Sequence, residues 1–518
     1  MSTKYLKEHK YLITAVFVLL VFYIWMASRI PYTHDDWEWG INDGLVHLLT
    51  ADKDSRFCGN LIEVIITRNE IIKTLFMGLT FTMVPLSIAI FAGRLTDIKK
   101  FSDPDKVMTS IFGFANIMIL LIPSDVWSQT NGWIAGFSNF VVSGIELVFF
   151  LYILSWSISS KLKKKTWIIS SILCFLYGVA IQLFLENLTV FYLLFAVVFL
   201  IIKWKKADKK IVISLCAGLI LGTILMFSSN IYSSLLNTGY AVGEYRQLMY
   251  DPNQPFYVFV AESVKRFFGV LLPQIILHHG VLVGSISVIM AIAAYKKVKN
   301  RLAGLCLALV NGAFCLYYIA TYFAGFITGR LEIENSLLTT LIDCIFVVLI
   351  IVEIILAFKE QKKLMSWLLV LWVSPFLVIA PMIVINTVGP RSFYTAYICL
   401  ILFGASVLGL LLTGTKKKIN VVPVLIAVLT LVLCARWIII YKAIGDETAK
   451  RKTQIETAVA NGDKVIYFGR FPYEEYLWFP DPTGPTRIRW YKDFYGIPED
   501  TTVVFEIWEE LGEMPESV

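Results

Sequence analysis

The sequence predicts an all-α polytopic membrane protein of about 13 transmembrane helices that ends in a small α/β extracytoplasmic domain. Three observations carry this prediction. Of 518 residues, 57% are hydrophobic and only 16% are charged, too apolar for a disordered chain and too poor in charge for an ordinary soluble protein of this length. The apolar residues fall in runs close to the length a helix needs to cross a hydrocarbon core. Basic residues gather between those runs at every second loop, and beyond Tyr441 the composition turns polar.

The runs lie at 11–28, 71–93, 107–123, 134–159, 166–184, 188–202, 211–227, 268–294, 302–324, 337–358, 365–384, 393–413 and 420–440. Residues 181–187 fit either the fifth or the sixth of them. Seven intervening stretches, 1–10, 94–106, 161–165, 203–210, 296–301, 359–363 and 416–418, hold 26 basic and 6 acidic residues. Positive loops beside spans stay cytoplasmic, so the N-terminus is expected inside and, with an odd number of spans, the C-terminus outside. A cleaved signal peptide ending near Ala27 and Ser28 is the alternative for the first run, and it leaves residue 29 onward outside as well. The net charge of +7 therefore records topology. Its lysines stand in short clusters without a basic stripe or a reading motif, so no nucleic-acid partner is expected. Seven of the eight cysteines lie in apolar runs and only Cys58 in a loop. That pattern gives neither a disulfide framework nor metal spacing, and reads as buried thiols acting as small hydrophobes.

The candidate chemistry lies in the outer loops. Residues 31–40 read PYTHDDWEWG, placing Asp35, Asp36 and Glu38 among His34, Trp37 and Trp39 directly after the first span. One reading is an interfacial belt, with Trp anchors at the headgroups and solvated acids. The other is catalytic: a carboxylate fixed beside a sugar acceptor takes the proton of the attacking hydroxyl. His278 and His279, with Gln274 a turn earlier, fall inside the eighth run, where a polar group in an apolar helix is expected to face a cavity. Adjacent histidines diverge by about 100° on a helix and do not suit one ion. Glu146, Asp343 and Arg436 are the other charges well inside runs, and read as interhelical polar contacts.

An acidic pair in the first outer loop after an N-in helix resembles the signature of GT-C glycosyltransferases. The loop 124–139 (SDVWSQTNGWIAGFSN), Glu186 and Asn187 at the outer end of the fifth run, and Gly389, Pro390, Arg391 and Ser392 before the twelfth extend the resemblance to a bacterial GT-C-like group, over the chain to about residue 410. The resemblance implies a GT-C-like fold over 1–441, a polyprenyl-phosphate-linked sugar as donor and an acidic catalytic loop. Carried over by position, Asp35 or Asp36 is the base, and Arg391 binds the lipid phosphate, a task suited to a planar guanidinium that stays charged near lipid. Arg246 and Arg330 are further donor-phosphate candidates on the outer face, as are Lys265 and Arg266. His34, Trp37, Glu38, Glu186, Asn187 and His278 are candidates for substrate contact. Some members use a divalent metal, for which Mg or Mn would be the hard-ligand choice.

Residues 442–518 carry 9 basic and 15 acidic residues and form the expected C-terminal domain. A helix is expected over 446–460 and short strands over 464–468 and 501–505. Tyr473, Tyr476, Trp478, Trp490 and Tyr491 either stack on sugar rings or fill the core of a domain too small to bury much else. The segment 228–266 is a second outer element, placed over the donor groove by analogy with the resembled family. The expected function is transfer of a sugar from the lipid-linked donor to a surface glycan or teichoic-acid-like acceptor at the outer face of the cell membrane. The alternatives are a flippase or transporter of lipid-linked saccharides, or a glycan polymerase or ligase.

Overall fold

The computed structural model describes residues 8–97, 103–158, 164–238, 247–249, 254–328, 336–385, 388–412 and 421–505. Helices occupy all thirteen predicted places. Among the described residues, eleven are long and apolar enough to cross a membrane, and twelve if one bent pair counts as a span. The pair is Pro104–Leu120 and Ser124–Thr130, which turn through 94° at Pro123, whose ring cannot continue a helix. The fifth run is a helix over Lys164–Ile181. It ends where Gln182 turns inward to donate to Leu219 O at 3.2 Å and Thr223 Oγ1 at 3.0 Å, and the next helix begins at Glu186.

The spans form one packed bundle whose innermost member, Tyr394–Leu412, is buried along its whole length. Small residues let neighbours close in. A Cβ on Gly218 would lie 2.1 Å from Phe175 O, so Lys209–Met226 crosses Lys164–Ile181 with backbone against backbone. The outward faces carry Leu309, Leu316, Ile345, Val348, Ile201 and Ile224 exposed to the surroundings. Hydrocarbon is the solvent that tolerates such faces, since each exposed large side chain would cost about 1.5–3 kcal/mol in water. Two acids inside spans are bonded across helices, Tyr318 donating to Asp343 at 2.9 Å and Asn311 to Glu353 at 2.5 Å, whereas Glu146 keeps Oε2 buried without a hydrogen-bond partner. Arg436 donates to Tyr476 at 2.5 Å.

Two runs differ from their expected form. The eighth is not one straight helix. A π-turn at Phe267–Leu271, a short helix Leu272–Ile276 and a break separate it from Gly280–Lys297. Pro273 and Gly280 flank that break, and a Cβ at Gly280 would meet Tyr318 O at 2.5 Å. His278 and His279 therefore stand in the break itself. The thirteenth run does not stop at 440, because a single helix, Val421–Asn461, absorbs the helix expected over 446–460. Trp127 stacks on Trp437 of this helix at 4.0 Å and donates to Tyr441 Oη at 2.7 Å.

Beyond Asn461 the chain adds two parallel strands, Val465–Phe468 and Thr502–Phe505. Parallel strands need a crossover, and the helix Gly484–Tyr495 lies within it. Ile466, Phe468, Val503 and Phe505 point inward while Val465, Tyr467 and Val504 point out, the two-residue period of a half-buried sheet. Among the described residues the sheet is only this pair. Arg451, 4% exposed, ties the unit to the long helix by donating to Asp481 at 2.5 Å and lying over Phe471 at 3.8 Å.

Candidate functional site

The loop after the first span is clamped before it reaches its acids. Lys73, buried in the second span, donates to Ile30 O at 2.8 Å and sits over the Tyr32 ring at 4.4 Å. Tyr32 donates to Ile66 O at 3.3 Å. The two aspartates then diverge. Asp36 is 0% exposed and accepts from the backbone N–H groups of Thr33 at 2.8 Å, Ala135 at 3.0 Å and Ile134 at 3.3 Å. It closes its own turn and caps the start of the fourth span. Burial and the neighbouring Asp35 push its pKa up, and the three backbone donors oppose them.

Asp35, with 26% of its side chain exposed, lines a cavity of about 730 Å³, within the range of small-molecule sites. Trp133 donates its indole N–H to Asp35 at 2.8 Å, and His34 Nδ1 lies 3.2 Å away. Burial raises the Asp35 pKa, but His34, the Lys53 charge and the Trp133 N–H outweigh it and hold the carboxyl at about 2. The Arg391 guanidinium rests over the Trp133 ring at 5.5 Å, so one indole touches the acid through its edge and the cation through its face.

The remaining predicted residues divide by location. Glu38 lines the cavity and is bonded by Lys53 and by His47 at 3.0 Å. Glu186 and Asn187 line it too. Arg56 forks onto Glu186 at 2.7 Å, Tyr232 donates to the same carboxylate at 2.7 Å, and Asn187 donates to Val378 O at 3.1 Å. Trp37 is fully buried against Tyr491 and is not among the lining residues. His278 faces Asp125 at 3.0 Å, likewise away from the lining. Arg246 and Arg330 lie outside the described residues. Of the five tail aromatics, Trp490 lines the cavity, whereas Tyr476 and Tyr491 are core.

Other lining residues carry no signal in the sequence. Lys53, Asp54, Arg56 and Asn60 stand together after the short helix Asn42–Thr50 or in the next one, Phe57–Thr67. Glu63 sits in an apolar stretch, LIEVII, is 1% exposed, and leaves Oε1 buried without a hydrogen-bond partner. Its carboxylate and those of Asp35 and Asp36 bring one oxygen each within 4.8 Å of one another. Burial and both aspartates raise the Glu63 pKa. Three hard oxygen donors with one unpartnered fit a divalent Mg or Mn ion. Phe227, Leu235, Leu248, Met382, Val384 and Ile385 add apolar lining to the same cavity.

Comparison with protein-family profiles, with curated proteins and with solved structures found no match.

Proposed function

We propose that this chain is a GT-C-type glycosyltransferase that moves a sugar from a polyprenyl-phosphate-linked donor to a cell-surface glycopolymer. The reading rests above all on one observation: Asp35 and Arg391 meet on the edge and the face of Trp133 within a cavity lined by both charged and apolar side chains. A polyprenyl phosphate sugar has the same polarity, with an apolar tail, an anionic joint and a hydroxylated head. In this reading the N-terminus is cytoplasmic, and the cavity and C-terminal unit face outward, as the basic loops require.

The acceptor hydroxyl attacks the anomeric carbon, the bond from that carbon to the phosphate oxygen breaks, and the phosphate leaves with the electron pair. Arg391 meets the charge that grows on the phosphate. Asp35 receives the hydroxyl proton, and its ionised form also offsets positive charge on the sugar ring. With its pKa held low it is a weak base, so proton transfer falls late, once the attacking oxygen has become acidic. Asp36 is spent on three backbone donors and orients the loop. A divalent ion held by Asp35, Asp36 and Glu63 would supply a fixed positive charge beside the donor phosphate. Direct displacement inverts the anomeric centre.

The test uses the full-length protein in vesicles with a labelled polyprenyl-phosphate sugar and candidate acceptor polymers. Wild type is expected to transfer label and Asp35→Asn to lose transfer. Equal rates in both would sink the acidic-loop mechanism, and movement of donor across the bilayer without transfer would point to a transporter.

A further inference from the structure

The C-terminal unit meets the catalytic loop at His34 as well as at Trp37. His34 adopts φ = 54°, a left-handed conformation that histidine tolerates better than most side chains but that still costs free energy. The tail holds it there. His34 N–H donates to Phe479 O at 3.1 Å, and the ring packs against Phe479 and Trp133, each at 5.5 Å. Arg487, in the first turn of Gly484–Tyr495, brings Nη2 to 3.1 Å from His34 Nε2 and Nη1 to 3.1 Å from Thr483 Oγ1, with its guanidinium over Phe479.

Guanidinium has donors and no acceptor. A hydrogen bond between Arg487 and Nε2 therefore requires that Nε2 offer its lone pair, which leaves the ring proton on Nδ1. That nitrogen is the one 3.2 Å from Asp35 Oδ1. We propose that Arg487 is a positioning residue: by donating to His34 Nε2 it fixes the neutral tautomer that carries its proton on Nδ1, the nitrogen beside Asp35. The second nitrogen of a histidine is commonly set in this way by the partner of the first. Trp133 holds the carboxylate by a hydrogen bond, and the Nδ1 edge of His34 lies beside it without one. The C-terminal unit becomes a working part of the site.

The assignment of Arg487 stands on geometry, and only its kinetic consequence rests on the transferase reading. The decisive experiment is ¹⁵N NMR of ring-labelled histidine in the full-length protein in vesicles, with His34→Asn identifying the signal among the five histidines. Wild type should show Nδ1 protonated and Nε2 bare, Arg487→Ala should mix the tautomers, and Arg487→Lys should largely restore the first. A protonated Nε2 in wild type, or identical spectra for wild type and Arg487→Ala, overturns the proposal. In the transfer assay, Arg487→Ala should lower kcat on the order of 10-fold with little change in donor KM. In a His34→Ala background the same substitution should cost almost nothing further. Equal losses in both backgrounds would mean that Arg487 does not act through His34. A wild-type protein with no transfer removes the transferase reading, while the tautomer seen by NMR still decides the role of Arg487.

Discussion

Trp133 donates its indole N–H to Asp35 at 2.8 Å, and the flat of that same ring lies under Arg391. The side chain that orders the acid thus also seats the cation, and the two functions can be separated by substitution. Trp133→Phe keeps an aromatic face for Arg391 and removes the N–H, so transfer should fall on the order of 10-fold with donor affinity retained. Trp133→Leu removes both, and should weaken donor binding as well. Steady-state kinetics with varied donor distinguish the two patterns.

Asp35 and Asp36 should fail in different ways. Asp36→Asn places an amide among three backbone donors in a fully buried site, and should cost about 1–3 kcal/mol of stability, read as a lower midpoint of thermal unfolding. Asp35→Asn should leave that midpoint nearly unchanged and reduce transfer by about 10²–10⁴-fold. A matching loss of stability in both variants would contradict the division of labour.

The pH dependence follows from the direction of the Asp35 shift. Its pKa is depressed from 3.8 to about 2, so the stabilisation its ionised form provides is fully present above the ordinary carboxylate value. It is lost only as the pH falls from there toward 2. Transfer measured from pH 7 down to pH 5 should show no acid limb from Asp35. An activity that titrates away in that interval in wild type and not in Asp35→Asn would be inconsistent with the hydrogen bonds around this carboxyl.

Arg391→Ala should reduce transfer by about 10²–10³-fold, as removal of a charge-stabilising donor does elsewhere. It should also relieve inhibition by added polyprenyl phosphate. Arg391→Lys keeps a charge without the planar fork and is expected to fall between the two. Inhibition constants for polyprenyl phosphate across the three proteins provide the check.

Chelation should lower transfer, and Mg or Mn should restore it. Glu63→Gln is then expected to raise the metal concentration for half-maximal activity by about 10-fold or more. Unchanged activity after exhaustive chelation would leave Glu63 as a buried, protonated acid with a structural role.

Hydropathy made the spans readable because a bilayer imposes length and apolarity on each one locally. Glu186 and Arg391 were singled out by the family resemblance, and hydropathy showed only that they stand at the ends of apolar runs. It misplaced His278, since a break between Pro273 and Gly280 leaves hydropathy unchanged while removing the residue from any helix. Glu63 was invisible for the opposite reason: one acid among isoleucines reads as a helix surface until packing buries it beside two aspartates. Arg487 stands 453 positions from His34, a contact made by tertiary packing alone. Trp37 looked functional by proximity to the acids, and its burial against Tyr491 shows that a neighbour in sequence can belong to the core.

The helix Val421–Asn461, 41 residues long, behaves as a crankshaft between the bilayer and the C-terminal unit. Its length is about 60 Å, and each residue turns it by about 100°. One alanine inserted among its last residues, beyond the Trp437 and Tyr441 contacts, would rotate everything downstream by that angle and swing Arg487 away from His34. Four inserted residues would nearly restore the bearing and raise the unit by about 6 Å. The phase of this helix, more than its height, sets whether the tail can meet the loop that follows the first span.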